Sequence, residues 1–460
     1  EFRRVLFRSA VGALSPNSVF TLSTGATLDT NGYAQIVAGL NGSAGEVKLG
    51  SGSTLNVGNY VTLANPAVST YAGLISGAGS LALSGGFLTL SGSSSTYSGT
   101  TSVTGGTLTV TDAGALGASA SVVYVFGGGS SRATQSSQLV VGSGQASTAL
   151  TFAHPLVLSG RGPASDGAAL LSVGGNTFSG PVFTSSLGEN RLAAFGGVTT
   201  FSGPLYINAL SSGNNFLYVT GSGSMVVSGT VIGGNYTNSS SFNRAGTGTT
   251  ILTGTNLNVG RWQVDGGSIR VSTAANLGPT TRTDGLYSSG GFFEIRTDAG
   301  NSFSTLNFLL GNASQGIFLD RAVAATGALG QTVVMAAGQQ ANAINSSIIA
   351  GRDGENLLLS SLTISGTSGS AVTASKLSGL LQIGALTYVG GSTSITSQIN
   401  AYGDVLVTGN FSAASGTTPI WSFNSATNSR GQVTLLGTSS LATSGRSEEH
   451  TSELQSRQYL

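Results

Sequence analysis

The chain of 460 residues contains no cysteine, two methionines, two tryptophans, two histidines and eight prolines, and only 8% of its residues are charged. Without cysteine there are no disulfides and no thiolate metal centres. A formal net charge of +1 lacks the Lys/Arg footprint that nucleic acid requires, so no nucleic-acid partner is expected. No uninterrupted apolar run reaches the roughly 18 residues of a membrane span. The mean hydropathy of +0.22 therefore comes from apolar residues scattered among small ones, and no membrane span is expected. Disorder is excluded as well, because disordered chains are poor in Val, Ile and Leu and rich in charge. What the chain has in quantity is glycine, 71 residues, far below the strictly periodic third of collagen. Length alone suggests about three domains, but single all-β bodies routinely exceed that prior.

The two ends differ in texture from the rest. Residues 1–9 read EFRRVLFRS and residues 446–460 read RSEEHTSELQSRQYL. Together they carry nine of the 35 charged residues. The codons AGA TCG GAA GAG CAC ACG TCT GAA CTC translate as RSEEHTSEL, and their reverse complement translates as EFRRVLFRS. One DNA sequence read from opposite strands thus accounts for both ends, and it resembles the adapter of short-read sequencing libraries. The expectation is that 1–9 and 446–460 are adapter-derived tails, to be excluded from fold reasoning, and that 10–445 is the fragment proper. That fragment has 13 basic and 13 acidic residues.

Internal repeats are visible within it. GGTLTVTDAGALG (105–117) parallels GGSIRVSTAANLG (266–278), VGGNTFSGPV (173–182) parallels FGGVTTFSGPL (195–205), and ISGAGSLALSG (75–85) parallels VTGSGSMVVSG (219–229). Each unit holds short runs that alternate apolar and polar: Leu108 and Val110 between threonines, Ile269 and Val271 between Ser268, Arg270 and Ser272. Period-two alternation rich in β-branched residues and bounded by glycine reads as half-buried strand. Gly-Gly and Ser-Gly pairs mark corners, where positive φ is needed. A unit of ~22 residues cannot bury its own apolar face and must stack on its neighbours. Asn-Gly and Asp-Gly hairpin turns are few and irregularly spaced, which favours coiling over hairpins. The expected fold is all-β, a parallel β-solenoid with rungs of ~22 residues, Val, Leu, Ile and Ala inside and Ser, Thr and Asn outside. The Ala- and Gln-rich stretch 322–343 departs from this pattern and is expected to hold a short helix or a lateral loop.

Residues 81–117, LALSGGFLTLSGSSSTYSGTTSVTGGTLTVTDAGALG, resemble the autotransporter-associated β-strand repeat: L-x-G, then Y/F-x-G, a Val, Gly-Gly-x-Leu-x-Val and a closing Leu-Gly. Gly105, Gly106, Leu108 and Val110 fill the central positions. In the weaker copy at 250–278 the same places fall to Gly266, Gly267, Ile269 and Val271, with Leu257 where the aromatic belongs. Residues 21–58 resemble a further unit common in the same large surface proteins. The resemblance implies a right-handed β-helix passenger, exported and displayed at the surface of a Gram-negative-type bacterium, outside the cell, with the repeat serving passenger translocation and folding. A rod of this kind, uncapped at both ends, would associate end to end through open strand edges, and its candidate partners are glycans or other surface ligands.

Chemistry is sparse. The densest acidic group is Asp284, Glu294, Arg296 and Asp298, with Glu294 and Arg296 two apart on a strand and so on one side. In a β-helix polysaccharide lyase or hydrolase such a set would be catalytic; the simpler reading is solvated ion pairs. The pairs Asp320-Arg321 and Arg352-Asp353 read as exposed. His154 stands before Pro155 without a second ligand at metal-binding spacing, and no phosphate loop or nucleophile elbow is found, so no cofactor is expected. Trp262, Trp421 and scattered tyrosines are candidates for stacking on sugars, but such residues more often fill core or rim positions.

Overall fold

A computed structural model of the chain describes residues 5–6, 10–58, 67–127, 137–142, 149–163, 167–184, 188–207, 215–233, 241–258, 260–279 and 285–296. Beyond these it describes 301–302, 308–310, 316–320, 332–341, 346–349, 356–366, 371–374, 380–390, 395–401, 404–414, 417–423, 425–426, 429–430 and 432–441. The fold is a β-solenoid: 58% strand, no α-helix among the described residues, about 11 turns, with rungs of about 24 residues. Among the described residues strand pairing is parallel, apart from one antiparallel contact between Ser425–Ala426 and Ser429–Arg430. The rungs run slightly longer than the ~22 residues expected, because corner lengths differ. Phe152 pairs with Phe178, and Phe178 with Phe201, spacings of 26 and 23 residues.

The chain falls into two compact units, 1–242 with 246–248, and 243–245 with 249–460. In the first unit each rung contributes strands to three faces. One face runs from Gln35–Val37 and Thr54–Val57 through Val123–Gly127, Leu156–Gly160 and Val182–Thr184 to Val231–Gly233. A second runs from Val68–Tyr71 through Ser137–Val141, Leu170–Val173 and Gly188–Phe195 to Asn215–Thr220. The third carries Thr27–Asp29, Glu46–Leu49 and Leu74–Gly77 and, further on, Thr151–Phe152, Thr177–Phe178, Val198–Phe201 and Ser224–Val227. Val5–Leu6 pairs with Leu28–Asp29; residues 446–460 lie outside the described residues. The second unit repeats the plan. Thr249–Leu252, Ser268–Val271, Phe292–Arg296, Gly316–Asp320 and Ser346–Ile349 form one ladder. Thr332–Ala341, Asn356–Gly366 and Leu380–Gly390 stack along most of their length, with a register shift between Met335 and Gly338.

Ser80–Leu90 and Thr101–Val110 each run across a corner onto two faces, and their register slips between Ser84 and Phe87. The corner is made by glycine. Gly106 has φ +77, and a β-carbon there would stand 2.2 Å from the carbonyl oxygen of Gly86. Stacked corners thus dictate the Gly-Gly element of the repeat. Leu108, Val110, Ile269 and Val271 point inward and are 2% exposed or less, and Gly267 takes φ +60. Both copies then leave the strand through a 3₁₀ turn, Ala113–Leu116 and Ala274–Asn276, followed by left-handed Gly117 and Gly278. The middle aromatic of the first copy, Tyr97, is buried with its hydroxyl 2.6 Å from Thr101 Oγ1, and burial raises its pKa to about 12. Leu257, its counterpart, is 55% exposed.

In the stretch 322–343 the described part, Thr332–Ala341, is a strand; residues 322–331 and 342–343 lie outside the described residues. One expectation is corrected: polar residues also enter the core. Asn176 is fully buried, and its Nδ2 donates to the carbonyls of Val141 and Val173 and to Ser172 Oγ, which also accepts from Thr199 Oγ1. A buried corner needs such partners for backbone groups that leave the ladder. No described helix is long and apolar enough to cross a membrane.

Candidate functional site

Of the four residues the sequence singles out, Asp284 and Asp298 lie outside the described residues. Glu294 and Arg296 sit in Phe292–Arg296, where Phe293 and Ile295 are buried and the residues between them are half-buried. Their side chains share the outer side, as period two requires. Glu294 is directly opposite Arg270 on the neighbouring strand, and Arg270 Nε donates to Glu294 Oε2 at 2.6 Å. A cross-strand pair of opposite charge is an ordinary way to tie two rungs together. Arg296 is opposite Asp320; Arg321, Arg352 and Asp353 lie outside the described residues. Among the described residues no group of His, Cys, Asp or Glu is placed to hold a metal ion.

The aromatic candidates change character. Trp262 is fully buried, and its Nε1 donates to the carbonyl of Leu277 at 2.7 Å. It is a core residue with its polar edge satisfied, the more usual place for such a residue, and offers no ring face to a sugar. The side chain of Trp421 lies outside the described residues. His154 is 4% exposed and packs against Phe152, ring centroids 6.4 Å apart. Burial lowers its pKa below 6.5. Its position is explained by a third copy of a repeat seen only twice in the sequence. Thr-Phe-Ala-His-Pro (151–155) stacks on Thr-Phe-Ser-Gly-Pro (177–181), which stacks on Thr-Phe-Ser-Gly-Pro (200–204). The three phenylalanines form an internal ladder with centroids 5.9 and 4.9 Å apart.

The most developed polar constellation on an outer face is in the first unit, and sequence reasoning missed it. Asn215–Thr220 pairs with Gly188–Phe195 so that Glu189 faces Phe216 and Arg191 faces Tyr218. Arg191 places its guanidinium 5.4 Å from the Tyr218 ring centre, within cation–π range. Its Nε and Nη2 donate to Glu189 Oε2 at 3.0 and 2.7 Å. Arg161, which leaves the end of Leu156–Gly160, brings Nε within 2.7 Å of the same oxygen. The three side chains are 28%, 19% and 24% exposed for Arg161, Glu189 and Arg191, so the group is open to solvent while its stems are packed. Beside it, Ala168, Leu171 and Ala193 are buried on the outer side against Val140, Val173 and Phe195, and Gln138 Nε2 donates to the Ala168 carbonyl. Ala168 is thereby held against the sheet. The sequence signal was Glu-x-Arg at 189 and 191, the same one-sided spacing that drew attention to Glu294 and Arg296. Arg161 joins only through rung stacking, which no local pattern shows.

Comparison with protein-family models, with curated proteins and with solved structures finds no match.

Proposed function

We propose that this chain is a non-catalytic passenger segment of an autotransporter-like surface protein, exported by a Gram-negative-type bacterium and serving display and adhesion. The observation that carries the reading is the repeat itself. Both Gly-Gly-x-Leu/Ile-x-Val copies place their glycines at corners and their aliphatic residues in the core, so the residues behind the family resemblance are those that build a rung. A cysteine-free chain suits passage across an outer membrane in the unfolded state, which disulfides would obstruct. The outer surface is rich in Ser, Thr and Gly, a composition for display rather than for a reaction centre.

The test is to recover the full-length gene and express it with its own flanking segments in a Gram-negative host. Protease treatment of intact cells should release fragments containing residues 10–445. A product that stays protected until the cells are lysed overturns the reading. A polysaccharide lyase or hydrolase is the competing reading, resting on Glu294 and Arg296 sharing one side. Release of unsaturated or reducing ends from acidic polysaccharides, lost in Glu294→Gln, would favour it.

A further inference from the structure

We infer that Arg161, Glu189, Arg191 and Tyr218 form a binding subsite for an acidic polysaccharide, a chain of carboxylate-bearing sugars. This deepens the adhesion reading and rests on it for its biological sense. Two cations converge on a single carboxylate oxygen, Glu189 Oε2. Among the described residues, the two Nη groups of Arg161, Nη1 of Arg191 and Oε1 of Glu189 have no hydrogen-bond partner. The cluster thus satisfies its own charges on one edge and presents donors and one acceptor on the other. Its described residues sum to one positive charge. A planar guanidinium edge with free N–H groups matches a carboxylate in bidentate geometry. The free Glu189 oxygen can accept from a sugar hydroxyl on the same residue.

The aromatic partners add the apolar half of the recognition. Phe216 and Tyr218 lie two apart on the outer side of one strand with ring centroids 6.3 Å apart and planes tilted by 55°, beside Glu189 and Arg191. The C–H face of a pyranose packs against such rings while its hydroxyls and carboxylate reach the charged row. Neighbouring rungs repeat at about 4.8 Å, close to the length of one sugar residue, so a polymer lying along the rungs would keep register with more than one row of side chains.

The test uses the full 460-residue chain and polygalacturonate as probe, with neutral dextran as comparison, read by affinity electrophoresis and calorimetry. Polygalacturonate should bind, and dextran should not. Binding should weaken as NaCl is raised, since the contacts are partly exposed. Arg161→Gln should weaken binding about tenfold or more while leaving the Arg191–Glu189 pair, the circular dichroism spectrum and the melting temperature in place. Arg161→Lys should recover part of the loss, because charge is kept but the bidentate fork is not. Equal retention by dextran, or Arg161→Gln and Tyr218→Leu both binding like the parent with unchanged spectra, would overturn the subsite. Surface exposure on intact cells is a separate readout: a displayed protein that ignores polygalacturonate sinks the subsite and leaves the display reading standing. A protein that binds it but remains inside the cell does the reverse.

Discussion

The carbonyl oxygen of Gly180 lies 2.3 Å from the place that a β-carbon on Gly203 would occupy. The relation repeats one rung on, where Gly203 stands in the same way to Gly229 at 2.1 Å. Gly203→Ala must therefore push one rung off the next. It should lower unfolding stability by about 1–3 kcal/mol, the usual cost of overpacking. Gly175→Ala, whose nearest contact is an ordinary 3.7 Å, should stay within about 0.5 kcal/mol. Urea denaturation of both variants checks the contrast; equal effects would refute it.

Phe178 is the centre of the internal ladder, between Phe152 and Phe201. Phe178→Ala removes a 2% exposed ring and both ring contacts, and should cost about 3–5 kcal/mol. Phe126→Ser, at a ring 42% exposed, should cost far less. The shift in urea midpoint reads both.

His154 should make stability fall in mild acid. Burial lowers its folded pKa below the ordinary 6.5, so the unfolded chain takes up its proton first. Above about pH 6.5 the ring is neutral in both states and carries no penalty. As pH falls below that value, stability is lost until the folded pKa is passed. The loss should be smaller in His154→Gln. Urea midpoints at neutral and mildly acidic pH measure it, and identical pH profiles for parent and variant would contradict the assignment.

Trp262 should emit at short wavelength and resist quenching by iodide, because it is fully buried and hydrogen-bonded to Leu277. The measurement belongs in a Trp421→Phe background. Ready quenching would mean that the ring is accessible, and would restore it as a sugar-stacking candidate.

The Arg270–Glu294 pair, with side chains 27% and 17% exposed, should contribute at most about 1 kcal/mol. Glu294→Gln should leave the melting temperature nearly unchanged, and still less changed in high salt.

The repeat was legible because its two ingredients are local. Leu108 with Val110 and Ile269 with Val271 show strand period directly, and Gly105-Gly106 and Gly266-Gly267 mark the corners that follow from it. What was hidden depends on stacking. Thr-Phe-Ala-His-Pro did not register as a relative of Thr-Phe-Ser-Gly-Pro, since His154 replaces the defining glycine; only the pairing of Phe152 with Phe178 reveals it. Trp262 was open between a core place and a sugar-facing one, and the period that buries Val264 buries Trp262 too. That Arg161 joins Glu189 and Arg191 was invisible because residues on neighbouring rungs are distant in sequence and adjacent in space.

Within the first unit, Thr177 and Thr200 occupy equivalent places on successive rungs, each followed by Phe-Ser-Gly-Pro. Excising 178–200 joins Thr177 to Phe201 and restores the same pentapeptide. Because a rung touches only its neighbours, the shortened chain loses one layer and closes up on the next. Length in such a chain is a countable quantity, open to change by unequal recombination in whole steps, while a deletion of half a rung would turn inward-facing residues outward and halt the stack.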